Sequence, residues 1–113
     1  MRWVLNSDGA ANKEAAGIGV ILELSSWVII EEAFRLEKQM TNNEAEYRAL
    51  LYGLELALKL GVQNLKVFLD SKLVSGQING IFGAKDQRMK FYYDKATQLI
   101  KYFRRIDIQA IRK

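Results

Sequence analysis

T-N-N-E-A-E-Y-R-A-L-L-Y-G-L-E-L-A-L-K-L-G, residues 41–61, is the stretch from which the fold can be read. Thr41 with Glu44 three residues later fits a capping box, in which each side chain accepts from the other's backbone N–H. Leu50, Leu54, Ala57 and Leu58 recur at helical spacing as an apolar stripe. Gly61 follows the last periodic residue, where a C-terminal cap is expected. The spacing therefore predicts a helix over Glu44–Leu60. At 100° per residue, Glu46 falls within roughly 40° of Leu50, Gly53 and Ala57, which places an acid on the inward face. Gly53 inside a helix costs about 1 kcal/mol relative to Ala. A close approach to a sheet would account for it.

Working outward, three apolar segments before this helix read as strands: Trp3–Asp8, Gly17–Leu24 and Trp27–Leu36. The first ends at Asp8-Gly9, and the other two join tightly at Ser25-Ser26 as an antiparallel pair. Ala10–Ala16 reads as a loop and Glu37–Met40 as a connector. Beyond the helix, Leu65–Leu69 is a short strand ended by Asp70. A helix precedes it, so it is expected to lie parallel to an earlier strand. Ser71–Asn79 reads as a short helix. Asp86–Phe103 reads as a longer one, with Met89, Tyr92, Ala96, Leu99, Ile100 and Phe103 at helical spacing. Ile106–Ile111 reads as the last strand. The order β-β-β-α-β-α-α-β predicts an α/β (α+β mixed) fold, a five-stranded mixed sheet flanked by helices, in one domain over residues 1–113.

Composition narrows the chemistry. The chain has 113 residues and contains no cysteine, proline or histidine. That excludes disulfides, zinc-thiolate sites, thiol nucleophiles and histidine-based triads. Carboxylates, lysines, hydroxyls or a bound metal must carry any reaction. The net charge of +4 is uneven: residues 1–84 hold 8 basic and 10 acidic residues, residues 85–113 hold 9 and 3. The basic segment interleaves Phe91, Tyr92, Tyr93, Tyr102 and Phe103, a pattern that suits a polyanion and also suits an amphipathic helix. The apolar runs are too short for a membrane helix, and residues 1–6 lack a signal-peptide pattern. The expectation is an intracellular protein, cytoplasmic or nuclear, that is not secreted and has no membrane partner.

Three acids stand where packing alone would not put them. Asp8 and Asp70 end strands, and Glu46 faces inward at the start of the long helix. Each has a plain structural reading: a turn pair for Asp8-Gly9, a helix start for Asp70-Ser71, a favourable helix-terminus charge for Glu46. Convergence explains all three at once. Converging carboxylates repel one another unless a cation neutralises them. Oxygen-only ligands select a hard ion, Mg²⁺ or Mn²⁺, and two such ions can serve phosphodiester hydrolysis.

S-D-G-A at 7–10, G-I-G-V-I-L at 17–22, T-N-N-E-A-E-Y-R-A-L at 41–50 and V-F-L-D-S-K-L-V at 67–74 together resemble the type 1 ribonuclease H family. N-N-E-A-E-Y, D-S-K-L-V-S-G-Q-I-N-G and A-K-D-Q-R-M are similar in wording to ribonuclease H domains of plant retrotransposon polyproteins. The resemblance implies a ribonuclease H-like fold and endonucleolytic hydrolysis of the RNA strand of RNA–DNA hybrids with two Mg²⁺ ions, Mn²⁺ substituting. It would leave a 5′-phosphate and a 3′-hydroxyl. It carries the catalytic and metal-binding roles onto Asp8, Glu46 and Asp70. It carries substrate binding onto Gly9, Ala10, Thr41, Asn42, Asn43, Ser71 and Lys72. Within that set Asn42 and Asn43 match residues that reach the minor groove, where the 2′-hydroxyl separates RNA from DNA, and Thr41 matches a DNA-phosphate contact. Lys72 stands where many members have Gln.

The sequence also departs from the family. A fourth carboxylate is expected at the start of a helix after the fifth strand, yet the sequence ends at Ile111-Arg112-Lys113. The family's loop histidine and long basic protrusion are missing, and only Gly80–Lys85 links the two later helices. Substrate affinity is then expected around Lys72, Lys85 and Arg88. Asp107 lies within the last strand and does not stand in for the missing acid. The first expectation is an active ribonuclease H without its last helix. The alternative is a weakened or truncated module that binds hybrid or double-stranded RNA without efficient turnover. A third is a fragment of a longer polyprotein, or a chain that self-associates through the sheet face the absent helix leaves uncovered.

Overall fold

The structure, a computed structural model, describes residues 2–25, 27–83 and 86–111. Ser26 of the expected turn, Lys85, Arg112 and Lys113 lie outside the described residues. The elements are β1 (Trp3–Ala11), β2 (Ala16–Ser25), β3 (Val28–Leu36), α1 (Asn42–Lys59), β4 (Asn64–Leu69), α2 (Lys72–Ile78), α3 (Gln87–Ile100) and β5 (Arg105–Ala110). They form one mixed sheet in the order β3-β2-β1-β4-β5. β1–β2 and β2–β3 pair antiparallel, while β1–β4 and β4–β5 pair parallel.

The expected order and sheet are observed, with three local corrections. β1 does not stop at Asp8, because Gly9, Ala10 and Ala11 continue the ladder opposite Ile18, Gly17 and Ala16. That shortens the expected Ala10–Ala16 loop to the Asn12 turn, where the Asn12 side chain accepts from Glu14 and Ala15 N–H. Trp27 is not a strand residue; it sits in the turn before β3 with 91% of its surface exposed. α3 ends at Ile100 rather than Phe103, although Phe103 is still buried in the core.

Capping follows the sequence. Thr41 Oγ1 accepts from Glu44 N–H and Glu44 Oε1 accepts from Thr41 N–H, which completes the box. Gly61, just past α1, has φ +76°, a conformation that favours glycine. Ser71 and Asp86 cap α2 and α3 by accepting from Val74 and Arg88 N–H.

Strand alternation sorts the core. Leu5 on β1, Val20 and Leu22 on β2, and Leu65, Val67 and Leu69 on β4 are buried with Tyr47, Leu50 and Leu54 of α1. The opposite face carries Ile21, Ile29 and Glu31 and is exposed among the described residues.

Two glycines set how closely α1 lies on β1. A Cβ on Gly53 would stand 2.7 Å from the Leu5 side chain, and one on Gly9 would stand 2.2 Å from the Ala45 carbonyl oxygen. The two contacts match in spacing. Eight residues of helix rise about 12 Å and four of strand about 13 Å. The helix supplies the gap at one end and the strand supplies it at the other. Gly53 is therefore the close approach to the sheet that the sequence suggested.

Candidate metal and substrate site

Register brings the strand-end acids together. Ser7 pairs with Leu69 across the parallel β1–β4 ladder, so the next residues, Asp8 and Asp70, come abreast at one end of the sheet. Gly19, opposite Asp8 on β2, puts no side chain over it. The first turn of α1 adds Glu46 from the helix layer, drawn in by the absence of a side chain on Gly9. One carboxylate oxygen from each of Asp8, Glu46 and Asp70 lies within 4.8 Å of the others. The three expected metal ligands therefore converge.

Their environments differ. Asp8 is exposed, Asp70 is half-buried and Glu46 is buried. Glu46 Oε1 accepts from Gly9 N–H at 3.0 Å, and its Oε2 is buried with no hydrogen-bond partner among the described residues. Burial pushes the Glu46 carboxyl up to about 7. The Gly9 N–H pulls the other way, and the adjacent Asp8 side chain, through hydrogen bonding and then charge, and the Asp70 charge add to the rise. A buried carboxylate oxygen without a donor, facing two more carboxylates, lacks a positive charge. A divalent cation with oxygen ligands fits it: the chain has no histidine or cysteine, and the group among the described residues is all carboxylate, which gives a softer metal nothing to prefer.

The expected substrate residues gather around this cluster. Gly9 and Ala10 lie on β1, with Gly9 buried and Ala10 exposed. Thr41 and Asn42 are exposed at the head of α1, and Asn43 is half-buried. Asn42 Oδ1 accepts from Ala11 N–H at 2.7 Å. Ser71 Oγ donates to Asn43 Oδ1 at 3.2 Å, which ties α2 to α1 beside Asp70. Lys72 is exposed in the first turn of α2. Arg88 Nη1 lies 3.6 Å from Glu44 Oε1, so the start of α3 stands beside the start of α1.

An open groove of about 620 Å³ on the uncovered face touches Asn6, Asp8, Gly19, Ile21, Glu31 and Asp70. Asp107 is not part of this site. It lies in register with Lys66 and pairs with it at 2.5 Å and with Arg2 at 3.7 Å.

Reading the sequence alone missed two contributions. Gly9 is legible as half of an Asp-Gly turn pair, yet it is a strand residue whose N–H holds Glu46 and whose missing side chain admits α1. The pairing of Asn42 with Ala11 depends on β1 continuing past Asp8. The alternation of Ser7, Gly9 and Ala11 on one side of the strand was the available signal.

Comparison with known proteins agrees with this architecture. The reverse transcriptase-like sequence family matches residues 6–113. A bifunctional protein of Mycobacterium tuberculosis is 35% identical over 114 residues, covering 98% of this chain. The chain spans only 31% of that protein's length. The crystal structure of a ribonuclease H1 from the archaeon Halobacterium salinarum superposes with a TM-score of 0.91 at 28% identity, covering 100% of this chain and 87% of that one. A ribonuclease H1 solved in complex with an RNA/DNA hybrid shares the fold, with a TM-score of 0.86 at 24% identity over 98% of this chain and 86% of its own.

Proposed function

The chain belongs to the reverse transcriptase-like family, of type 1 ribonuclease H fold, and on that premise we propose that it hydrolyses the RNA strand of RNA–DNA hybrids with divalent metal ions. The observation that carries this reading is the convergence of Asp8, Glu46 and Asp70 within 4.8 Å, with a Glu46 oxygen buried and unpartnered. The hybrid named for the related ribonuclease H1 structure supports the choice of substrate.

In this reading Asp8, Glu46 and Asp70 hold Mg²⁺, two ions in the full arrangement, with Mn²⁺ as a substitute. Bound metal would supply a nucleophilic water at neutral pH and stabilise the leaving oxygen. The protein's own part is placement. β1 and β4 present Asp8 and Asp70 side by side, and α1 brings Glu46 with one oxygen held by Gly9 N–H. Burial raises the Glu46 carboxyl to about 7, and a cation held beside it would favour its ionised form.

Asn42 and Asn43, at the head of the helix that carries Glu46, face the minor groove of the hybrid beside the RNA 2′-hydroxyls. Thr41, Ala10 and Lys72 flank them for backbone contacts.

The test is a labelled hybrid incubated with the protein in Mg²⁺ and in Mn²⁺, beside a DNA duplex of the same sequence. Cleavage of the RNA strand alone, lost by two or more orders of magnitude in Asp70→Asn, is expected. Hybrid left intact in both metals but bound with strong salt dependence would instead favour the non-catalytic binding module.

A further inference from the structure

Asn42 and Asn43 each use their side-chain carbonyl inside the protein. Asn42 Oδ1 accepts from the Ala11 backbone N–H at 2.7 Å. A backbone N–H can only donate, so this contact determines which way the amide faces. Asn43 Oδ1 accepts from Ser71 Oγ at 3.2 Å. The same Ser71 oxygen accepts from Val74 N–H at 3.0 Å and so caps α2.

Ser71 therefore has no hydrogen left to give a substrate, because its single O–H is committed to Asn43. Neither contact uses the N–H₂ group of its amide, so both amides can present donors outward. Donors of that kind meet acceptors in the minor groove whatever the sequence, since purine N3 and pyrimidine O2 both accept there.

We propose that Ser71 is a positioning residue: its hydroxyl orients the Asn43 amide as a donor and sets it in register with Asp70, the residue just before Ser71 in the chain. Asn42 has a rigid backbone partner for the same purpose, whereas Asn43 depends on a side chain. This inference rests on the proposed function, since it assigns the substrate-facing geometry of that site.

The test is a double-mutant cycle on hybrid cleavage with Ser71→Ala, Asn43→Ala and the pair, plus Ser71→Thr. KM, kcat and hybrid affinity by fluorescence anisotropy are the readouts. Ser71→Ala should raise KM and weaken binding by about fivefold, with kcat nearly unchanged, and should add nothing in the Asn43→Ala background. Ser71→Thr, which can both cap and donate, should restore wild-type KM.

A helix cap alone would lower thermal stability equally in both backgrounds and leave KM unmoved. Unchanged KM in Ser71→Ala, or additive effects in the pair, overturns the positioning role while wild-type cleavage stands. A wild-type chain that neither cleaves nor binds hybrid overturns the functional reading, and this inference with it.

Discussion

The backbone N–H of Gly9 donates to Glu46 Oε1 at 3.0 Å, at the same point where the Gly9 Cα lies against the α1 backbone. One residue thus sets both the seat of the helix and the aim of its carboxylate. The acid cluster depends on a strand–helix approach that any side chain at position 9 would block.

Gly9→Ala should therefore be more damaging than Gly53→Ala. A methyl at position 9 meets the Ala45 carbonyl, which cannot yield without moving α1. A methyl at position 53 meets the end of the Leu5 side chain, which can rotate. The second change also gains about 1 kcal/mol of helix propensity. Urea unfolding should show a loss of about 3 kcal/mol or more for Gly9→Ala and no more than about 2 kcal/mol for Gly53→Ala. Equal losses would mean that α1 can shift on the sheet.

Without metal, the protein should become less stable as pH rises from about 5 to 8. Glu46 holds its proton more tightly when folded, near 7, than when unfolded, where it returns to about 4.3. Its folded form is thus favoured at the acid end of that window and penalised as pH passes through 7. Asp107 has the opposite sign, since Lys66 and then Arg2 hold its carboxyl below the usual range, but its contribution is lost only in stronger acid. Glu46→Gln should remove the slope and raise the metal-free melting temperature at pH 8. A melting temperature that rises from pH 5 to 8 would contradict this.

Metal binding should release protons in the same window. A cation at this cluster needs Glu46 ionised. Calorimetric titration with Mg²⁺ in buffers of differing ionisation enthalpy should detect close to one proton released at about pH 6 and almost none at about pH 8.5. In Glu46→Gln that release should vanish. Release that is the same at both pH values would place the titrating group elsewhere.

Asp107→Asn should leave cleavage within about twofold and cost under about 1 kcal/mol of stability. Its carboxylate pairs with Lys66 and Arg2 in the body of the sheet, away from the strand ends that carry Asp8 and Asp70. A hundredfold loss of cleavage would mean that Asp107 serves as the fourth acid.

Much of this was legible before the structure, for reasons visible in particular residues. α1 announced itself through Thr41, Glu44 and Gly61, because capping and periodicity are local properties. Glu46 could be aimed inward by counting along the helix, and its burial agrees. Asp8 and Asp70 could be assigned to strand ends, but their side-by-side placement needed the Ser7–Leu69 register, which no local pattern encodes. The extension of β1 through Ala11 was hidden because Gly9, Ala10 and Ala11 have weak strand preference, and their partners on β2 decide the matter. Trp27 misled for the opposite reason: its intrinsic strand preference lost to the turn that joins β2 and β3. The hydrogen bonds of Asn42 and Asn43 join segments far apart in sequence, so only the folded chain shows them.

The strand order has a consequence for how the chain is made. β1 lies third in the sheet, hydrogen-bonded to β2 on one side and β4 on the other. As the chain leaves the ribosome, β1, β2 and β3 can pair at once. The far edge of β1 must then wait, open, until Leu65–Leu69 has been synthesised. Over that interval Trp3, Val4 and Leu5 offer an unpaired apolar edge of the kind that recruits other nascent chains. α1 emerges before β4 and can cover the Leu5 face as soon as Gly53 reaches it. The helix that carries Glu46 would thus also shelter the unfinished sheet during synthesis.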